Sequence, residues 1–279
     1  MDFHALLREE RAKARRKGKE RDKPTPQPPV NASQATLASA PPSFSLTPRQ
    51  FQAKDLPSFS VGGIPSIHYV ADFLTDADEA AILQQVYHLP RSHPKWTHLS
   101  CRSLQCWGGE PRESQDGSFT PEPLPPFLVQ LGQQLVRCGA FPAEGPPNHV
   151  LINEYTPGQG ILPHTDGPWY RPRTATLSLG SDAVMSFESK LASHEIGSPN
   201  LSSDKLVKES LLLRRKCLVL FTGQAYTGFT HAITTDENEM KRLRDAGLCN
   251  DDTSGPLQTG KTRISLTFRH VDTKAPKGR

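Results

Sequence analysis

Past Asn148 the chain breaks into short β-rich runs separated by turn residues: His149 to Tyr155, Thr174 to Leu179, Val184 to Phe187, Leu211 to Leu213, Cys217 to Phe221 and Arg263 to Val271. Many short strands at close intervals argue for a sandwich or barrel, with any preceding helices packed on its outside. A double-sheet jelly roll fits best, so the expected class is mainly β with flanking helices.

Upstream, Ile64 to Val70 reads as a short strand. Thr75 then opens a helix whose Ile82, Leu83, Val86 and Tyr87 form one stripe before Pro90. Residues 91–126, rich in Pro, Gly and polar groups around Trp96, Arg102, Gln105 and Trp107, are expected to be an ordered but irregular cover, a place for substrate contact. Phe127, Leu128, Leu131 and Leu135 predict a second helix that stops at Gly139. Ser189 to Lys205 and Thr234 to Gly260 are expected as surface excursions, the second partly helical.

The first sixty residues have another texture. Arg8 to Lys23 is dense in Lys and Arg, and Pro24 to Pro57 is rich in Pro, Ser, Thr, Gln and Ala with few bulky apolar groups. Such a stretch buries too little surface to offset its ordering entropy. The expected organisation is a disordered basic then Pro/Ser-rich arm over 1–60 and a folded domain over 61–274, with its jelly-roll core at about 146–273. Phe3, Leu6 and Leu7 form a small apolar face that reads as a chance cluster or a partner-docking turn.

The formal charge of +4 permits an anionic partner without requiring one. Five cysteines, odd in number and without a CxxC pair, read as free thiols of a reducing compartment. The charged N-terminus lacks a signal-peptide apolar core, and no apolar run approaches the roughly 20 residues needed to span a bilayer. The expectation is a soluble protein of the nucleus and cytoplasm without membrane contact, the basic run serving as an import signal, a phosphate-contacting arm or a solvated tail.

The chemistry lies in three places. His164-Thr165-Asp166 follows a Gly/Pro loop (Pro157, Gly158, Gly160) after the His149 to Tyr155 strand, and His231 comes after two further hairpin-like units. Two imidazoles and a carboxylate on one face of a metal leave three positions open, the ligand set of non-haem Fe(II) oxygen chemistry. Zinc is the competing ion, but its hydrolases often use a helical His-Glu-x-x-His, which this sequence lacks. The last strand alternates Arg263, Ser265, Thr267 and Arg269 with Ile264, Leu266, Phe268 and His270. A solvent-exposed edge would carry such a face without comment. Turned inward, it would hold a small diacid through paired, charge-assisted hydrogen bonds.

Asn153-Glu154-Tyr155, His164-Thr165-Asp166, His231 and Arg263 with Arg269 resemble, in order and approximate spacing, the AlkB-type Fe(II)/2-oxoglutarate dioxygenases, from about Ile64 to Val271. Within them, Pro94 to Thr97, Arg102 to Gly109, His164 to Pro168 and Ala225 to Thr227 followed by His231 look most like the sixth AlkB homologue group. The resemblance implies a double-stranded β-helix core with Fe(2+) and 2-oxoglutarate as cofactors. His164, Asp166 and His231 would bind iron, Asn153 and Tyr155 would hydrogen-bond 2-oxoglutarate, Arg263 would pair with its distal carboxylate, and Arg269 would support the end near the metal. Trp96, Arg102, Gln105 and Trp107 would form a base-stacking and phosphate-holding lid.

The implied reaction consumes O2 and 2-oxoglutarate, yields succinate and CO2, and hydroxylates the substrate; on an N-methyl group, formaldehyde is then lost. The substrate class expected is a nucleic acid, DNA or RNA, ahead of a protein side chain. Pro168 stands two positions after Asp166, where members that repair alkylated bases usually carry an acid, so direct base repair is the part of the resemblance this chain departs from. Two other readings stand beside it: a catalytically weak nucleic-acid-binding or splicing-related adaptor retaining the fold, and a small-molecule hydroxylase.

Overall fold

The strand from Arg263 to Arg269 runs through the middle of the larger sheet, not along an edge. In the computed structural model, which describes residues 5–13, 42–47, 52–109, 120–190, 206–250 and 255–272, it is β11 and pairs antiparallel with both β4 (His149–Tyr155) and β6 (Arg173–Leu179). The remaining strands are β1 (Ile67–Val70), β2 (Trp96–His98), β3 (Ser103–Trp107), β5 (Gly160–His164), β7 (Ala183–Ser189), β8 (Lys208–Leu213), β9 (Leu218–Thr222) and β10 (Phe229–Thr234). They form a seven-stranded sheet ordered β1-β9-β6-β11-β4-β3-β2 and a four-stranded sheet ordered β5-β10-β7-β8. This is the two-sheet jelly roll with flanking helices that the sequence predicts.

Two cores result, because successive side chains of a strand point to opposite faces. The outer face of the large sheet, including Val150, Ile152, Leu177, Leu220, Leu266 and Phe268, packs on α2 (Asp76–His88) and α3 (Pro126–Arg137). Its inner face meets the small sheet through Leu104, Leu151, Tyr155, Met185, Phe187, Val219 and Phe221. All of β11 is buried, so Arg263, Ser265, Thr267 and Arg269 point between the sheets while Ile264, Leu266 and Phe268 face the helices.

The helices start and stop on local signals. Thr75 caps α2: its hydroxyl accepts from the Asp78 amide at 3.0 Å and the Asp78 carboxylate accepts from the Thr75 amide at 2.8 Å, a reciprocal box. α3 opens with Pro126 at its first turn, buries Phe127, Leu128, Leu131 and Leu135 on one stripe, and is followed by Gly139 at φ +78°. A short helix, α4 (Gly223–Thr227), links β9 to β10. α5 (Glu237–Asp245) belongs to the stretch expected to be a surface excursion, yet Met240 and Leu248 join Val184 and Leu212 in a small third core behind the minor sheet.

Two sequence expectations need correction here. Residues 91–126 contain the β2–β3 hairpin instead of an irregular cover, since Leu99 and Arg102 close a turn and the polar Ser103 and Gln105 are paired to β4. The arm expected to be disordered over 1–60 carries a helix, α1, at residues 5–13, whose Leu6 is buried in the inner core, and a 3-10 helix at Ala53–Phe59 that contacts β1. The rest of the basic run, most of the Pro/Ser-rich stretch and residues 191–205 lie outside the described residues. Among the described residues no cysteine forms a disulfide, as expected, and no helix is long and apolar enough to cross a membrane.

Leu131, fully buried between α3 and the large sheet, provides a test of the outer core. Leu131→Ala is expected to lower unfolding free energy by about 2–5 kcal/mol, read as a lower urea midpoint with an unchanged slope.

Candidate active site

The small sheet brings the two histidines together. His164 ends β5 and His231 lies inside β10 directly opposite it in register, with ring centroids 4.4 Å apart. The sequence placed His164 after a Gly/Pro loop and His231 after two hairpin-like units; both are strand residues. Gly160 makes the pairing possible, since a Cβ there would lie 2.2 Å from the Ile233 carbonyl oxygen of β10. Asp166, two residues past His164, turns back so that ligand atoms of His164, Asp166 and His231 all lie within 4.8 Å of one another, a set that could hold one metal ion.

Each member is held in the state such an ion needs. The His164 Nδ1–H can donate to the Leu162 carbonyl at 2.8 Å, which assigns the tautomer and puts the lone pair on Nε2. Burial pushes the pKa of both imidazoles down, well down at His164, where His231 adds to the effect. Asp166 is 2% exposed. Burial alone would raise its pKa, but the Arg269 guanidinium and the two imidazoles override it and hold the carboxyl well below the usual range. Arg269 Nη2 donates to Asp166 Oδ1, and the Thr174 hydroxyl donates to Oδ2 at 2.6 Å. The Arg269 guanidinium also lies 4.9 Å from the Tyr170 ring centroid.

Beside this cluster is a narrow cavity with Asn153, Tyr155, Thr176, Arg263, Ser265 and Thr267 in its wall. The register of β4 against β11 sets Tyr155 opposite Arg263 and Asn153 opposite Ser265, and Arg269 stands at the other end of β11; Asn153, Tyr155, Arg263 and Arg269, expected from the sequence to hold the cosubstrate, all line this cavity. Arg263 has no exposure; its Nη2 donates to the Ser178 hydroxyl at 2.9 Å and its guanidinium lies 5.4 Å from the Tyr155 ring centroid. Its Nε and Nη1, and the Asn153 Oδ1, are buried with no hydrogen-bond partner among the described residues. A buried guanidinium with two orphaned donors is costly unless an anion completes it, and a small dicarboxylate fits that requirement.

Thr174 and Ser178 escaped the sequence reading although their signal was present. β6 alternates Thr174, Thr176 and Ser178 with Ala175, Leu177 and Leu179, the same polar/apolar rhythm as β11, and the two strands are neighbours.

The expected substrate lid is not where the sequence placed it. Trp96 pairs opposite Gln105, and both face the helix layer: the Trp96 indole donates to the Leu89 carbonyl at 3.2 Å and the Gln105 amide to the Val86 carbonyl at 3.0 Å. The Trp107 indole donates to Gln105 Oε1 at 2.9 Å on that same side. Strand alternation is the reason, because sending Leu104 inward against Leu151 and Tyr155 sends its neighbour Gln105 outward. Only Arg102 of the four lies towards the interior, where it is fully buried and paired with Glu10 at 2.8 Å.

Over residues 67–269 the sequence matches the 2OG-Fe(II) oxygenase superfamily. The chain belongs to that family. Within it the chain is AlkB-type and ALKBH6-like: it is 37% identical over 212 residues to "Probable RNA/DNA demethylase ALKBH6" of Danio rerio, covering 74% of this chain and 86% of that protein. It is 27% identical over 217 residues to "tRNA (carboxymethyluridine(34)-5-O)-methyltransferase alkbh8" of Xenopus tropicalis, covering 74% of this chain but 32% of that longer protein. A solved chain described as "The structure of OsALKBH1" overlays 74% of this chain and 98% of its own at 17% identity, with a TM-score of 0.48. As a 2OG-Fe(II) oxygenase the protein is an oxidoreductase, a dioxygenase whose cofactors are Fe(2+) and 2-oxoglutarate and whose cosubstrates include O2.

Two of the buried arginines of this oxygenase, Arg263 and Arg269, should respond differently to removal in the cofactor-free protein. Arg269→Met strands the Asp166 carboxylate and is expected to cost about 3–5 kcal/mol. Arg263→Met removes a charge that lacks a carboxylate partner and should change stability by less than about 1 kcal/mol or increase it. Parallel urea unfolding of both variants without metal or keto acid checks the contrast.

Proposed function

We propose that this oxygenase oxidises a nucleic acid, by demethylation or hydroxylation, with Fe(2+) held by His164, Asp166 and His231 and 2-oxoglutarate held by Asn153, Tyr155, Arg263 and Arg269. The observation that carries the assignment is the convergence of three ligand groups beside a buried, incompletely bonded Arg263. When bound, the iron and the keto acid supply an oxidative decarboxylation to succinate and CO2 and an oxidant able to take a substrate hydrogen.

The chain's own residues prepare for that chemistry. Arg269 and Thr174 fix both oxygens of Asp166, which keeps it ionised and aimed at the cluster. The Leu162 carbonyl keeps the His164 proton on Nδ1. Arg263 offers its orphaned N–H groups to the distal carboxylate of 2-oxoglutarate as charge-assisted hydrogen bonds, with Tyr155 and Asn153 lining the same wall. Leu151, Met185 and Phe221 add an apolar side to the cavity and help keep water from the reacting groups.

The nucleic-acid part rests on the likeness to a protein described as a probable RNA/DNA demethylase and on the net positive charge. Pro168, two positions after Asp166, cannot act as an acid near a base, which favours a modified nucleotide other than a repaired alkyl lesion. The basic run from Arg8 to Lys23 supports placement in the nucleus and cytoplasm.

Succinate formation should require added Fe(2+) and fall to background in His164→Ala, Asp166→Ala and His231→Ala. Arg263→Met should raise the KM for 2-oxoglutarate by an amount corresponding to about 2–5 kcal/mol, the usual cost of truncating one side of a buried charged pair. Turnover that persists in the three ligand variants would refute the ligand assignment. Mass spectrometry of methylated RNA and DNA oligonucleotides incubated with wild type tests the substrate class; unchanged oligonucleotides beside vigorous turnover on a protein or metabolite would refute it.

A further inference from the structure

α1 is folded into the barrel mouth mainly by Leu6 and Glu10 on one face, with Leu7 packed beside them. Leu6 is buried with Leu104, Leu151, Tyr155 and Ile161, and Glu10, one helical turn on, is buried with its Oε1 2.8 Å from Arg102 Nη1. Arg8, Glu9 and Lys13 lie on the exposed side. A helix this short does not persist in water alone, so its docking contacts decide whether it is helical.

The Glu10 contact has the marks of a replaceable tenant. Glu10 Oε2 is buried with no hydrogen-bond partner among the described residues, and burial raises the carboxyl's pKa in spite of the adjacent guanidinium. A pair serving stability alone would satisfy both oxygens or be replaced by apolar packing. Glu10 stands in the wall of a groove with Ser100, Cys101, Gly158, Ile161 and Pro163, the last of which adjoins His164.

We propose that α1 is a tethered competitor for the substrate: Glu10 holds, on Arg102, the position taken by a phosphate of an incoming single-stranded nucleic acid, whose binding expels the helix. Its ligand class rests on the function proposed above. The exchange swaps one anion for another, so Arg102 is never left buried without a counter-charge. A phosphate presents acceptors matched to the guanidinium fork, which Glu10 engages through one oxygen. Arg8, Arg11 and Lys13 then move with the released helix and can follow the polyanion. A neutral molecule cannot displace Glu10, so the helix also selects for charge.

The test uses the full chain at fixed salt and measures anisotropy of a labelled single-stranded RNA with wild type, Glu10→Gln, Leu6→Ala and the double variant Glu10→Gln/Arg102→Met. Inorganic pyrophosphate serves as a second probe by calorimetry. Glu10→Gln and Leu6→Ala should each bind RNA roughly tenfold more tightly, as when a competent state holding about a tenth of the population becomes dominant. The double variant should lose that gain, and amide hydrogens of residues 5–13 should exchange faster when RNA saturates the wild type. Pyrophosphate binding that tightens in Glu10→Gln while RNA binds neither protein would remove nucleic acid as the ligand and keep the competitor. Equal affinity of Glu10→Gln and wild type for both probes, with only a lower melting temperature in the variant, would make the pair a structural brace and overturn the inference. Added protection of residues 5–13 on RNA binding would overturn it as well.

Discussion

Asp166 and Arg269 neutralise one another in the interior between the two sheets, where they are 2% and 3% exposed. A lone charge at that depth would be several kcal/mol unfavourable even after relaxation, roughly the penalty per buried ion in real proteins. The pair removes that penalty and fixes a geometry as well, because Thr174 takes the second carboxylate oxygen and Tyr170 stacks against the guanidinium. The two imidazoles can then remain neutral beside an ionised carboxylate without further counter-charges. The rest of the site follows: β11 must be central to bring Arg269 inward, β6 must lie beside it to bring Thr174, and β5 must meet β10 to set His164 against His231.

How much of this the sequence disclosed depends on whether a strand's two faces differ in character. β11 announced itself because arginines and hydroxyls alternate with Ile264, Leu266 and Phe268, and its four inward residues are those the sequence singled out. β5 was missed because Pro163 and Gly160 interrupt it. A proline is tolerated there since β5 is an edge strand of the small sheet. β2 and β3 were missed for a different reason. Their polar Ser103 and Gln105 look like loop chemistry until hydrogen bonds from neighbouring elements satisfy them, as Gln105 does on the Val86 carbonyl. Reading that segment as a loop then left no rule for which way its tryptophans point, and the lid assignment failed on that point.

The N-terminal helix illegibility has another cause. Composition describes averages over tens of residues, and around residues 5–13 the average is charged and poor in large apolar groups. Docking involves Leu6 and Glu10 with Leu7 packed beside them, and Glu10 is an acid that composition counts as solvated. Nothing local distinguishes Glu10 from Glu9; the distinction is made by Arg102, far along the chain and itself buried in the inner layer.

Arg263 and Arg102 extend the argument to how such a site balances stability against function. Both sit at the interior wall with no exposed surface: Arg263 donates to one serine hydroxyl, and Arg102 is paired with Glu10. Packing apolar side chains at those positions would make a more stable barrel, since replacing buried ionic groups by well-packed hydrophobic ones is often neutral or stabilising. What such a barrel would lose is the ability to recognise anions without rearrangement. A guanidinium fixed in place with unsatisfied donors has already met the cost of dehydration before its ligand arrives, so the full strength of a charge-assisted bond is available for binding. The unmet donors of Arg263, set beside the Asp166–Arg269 ion pair, divide the interior into a part that holds the fold and a part that waits for a ligand.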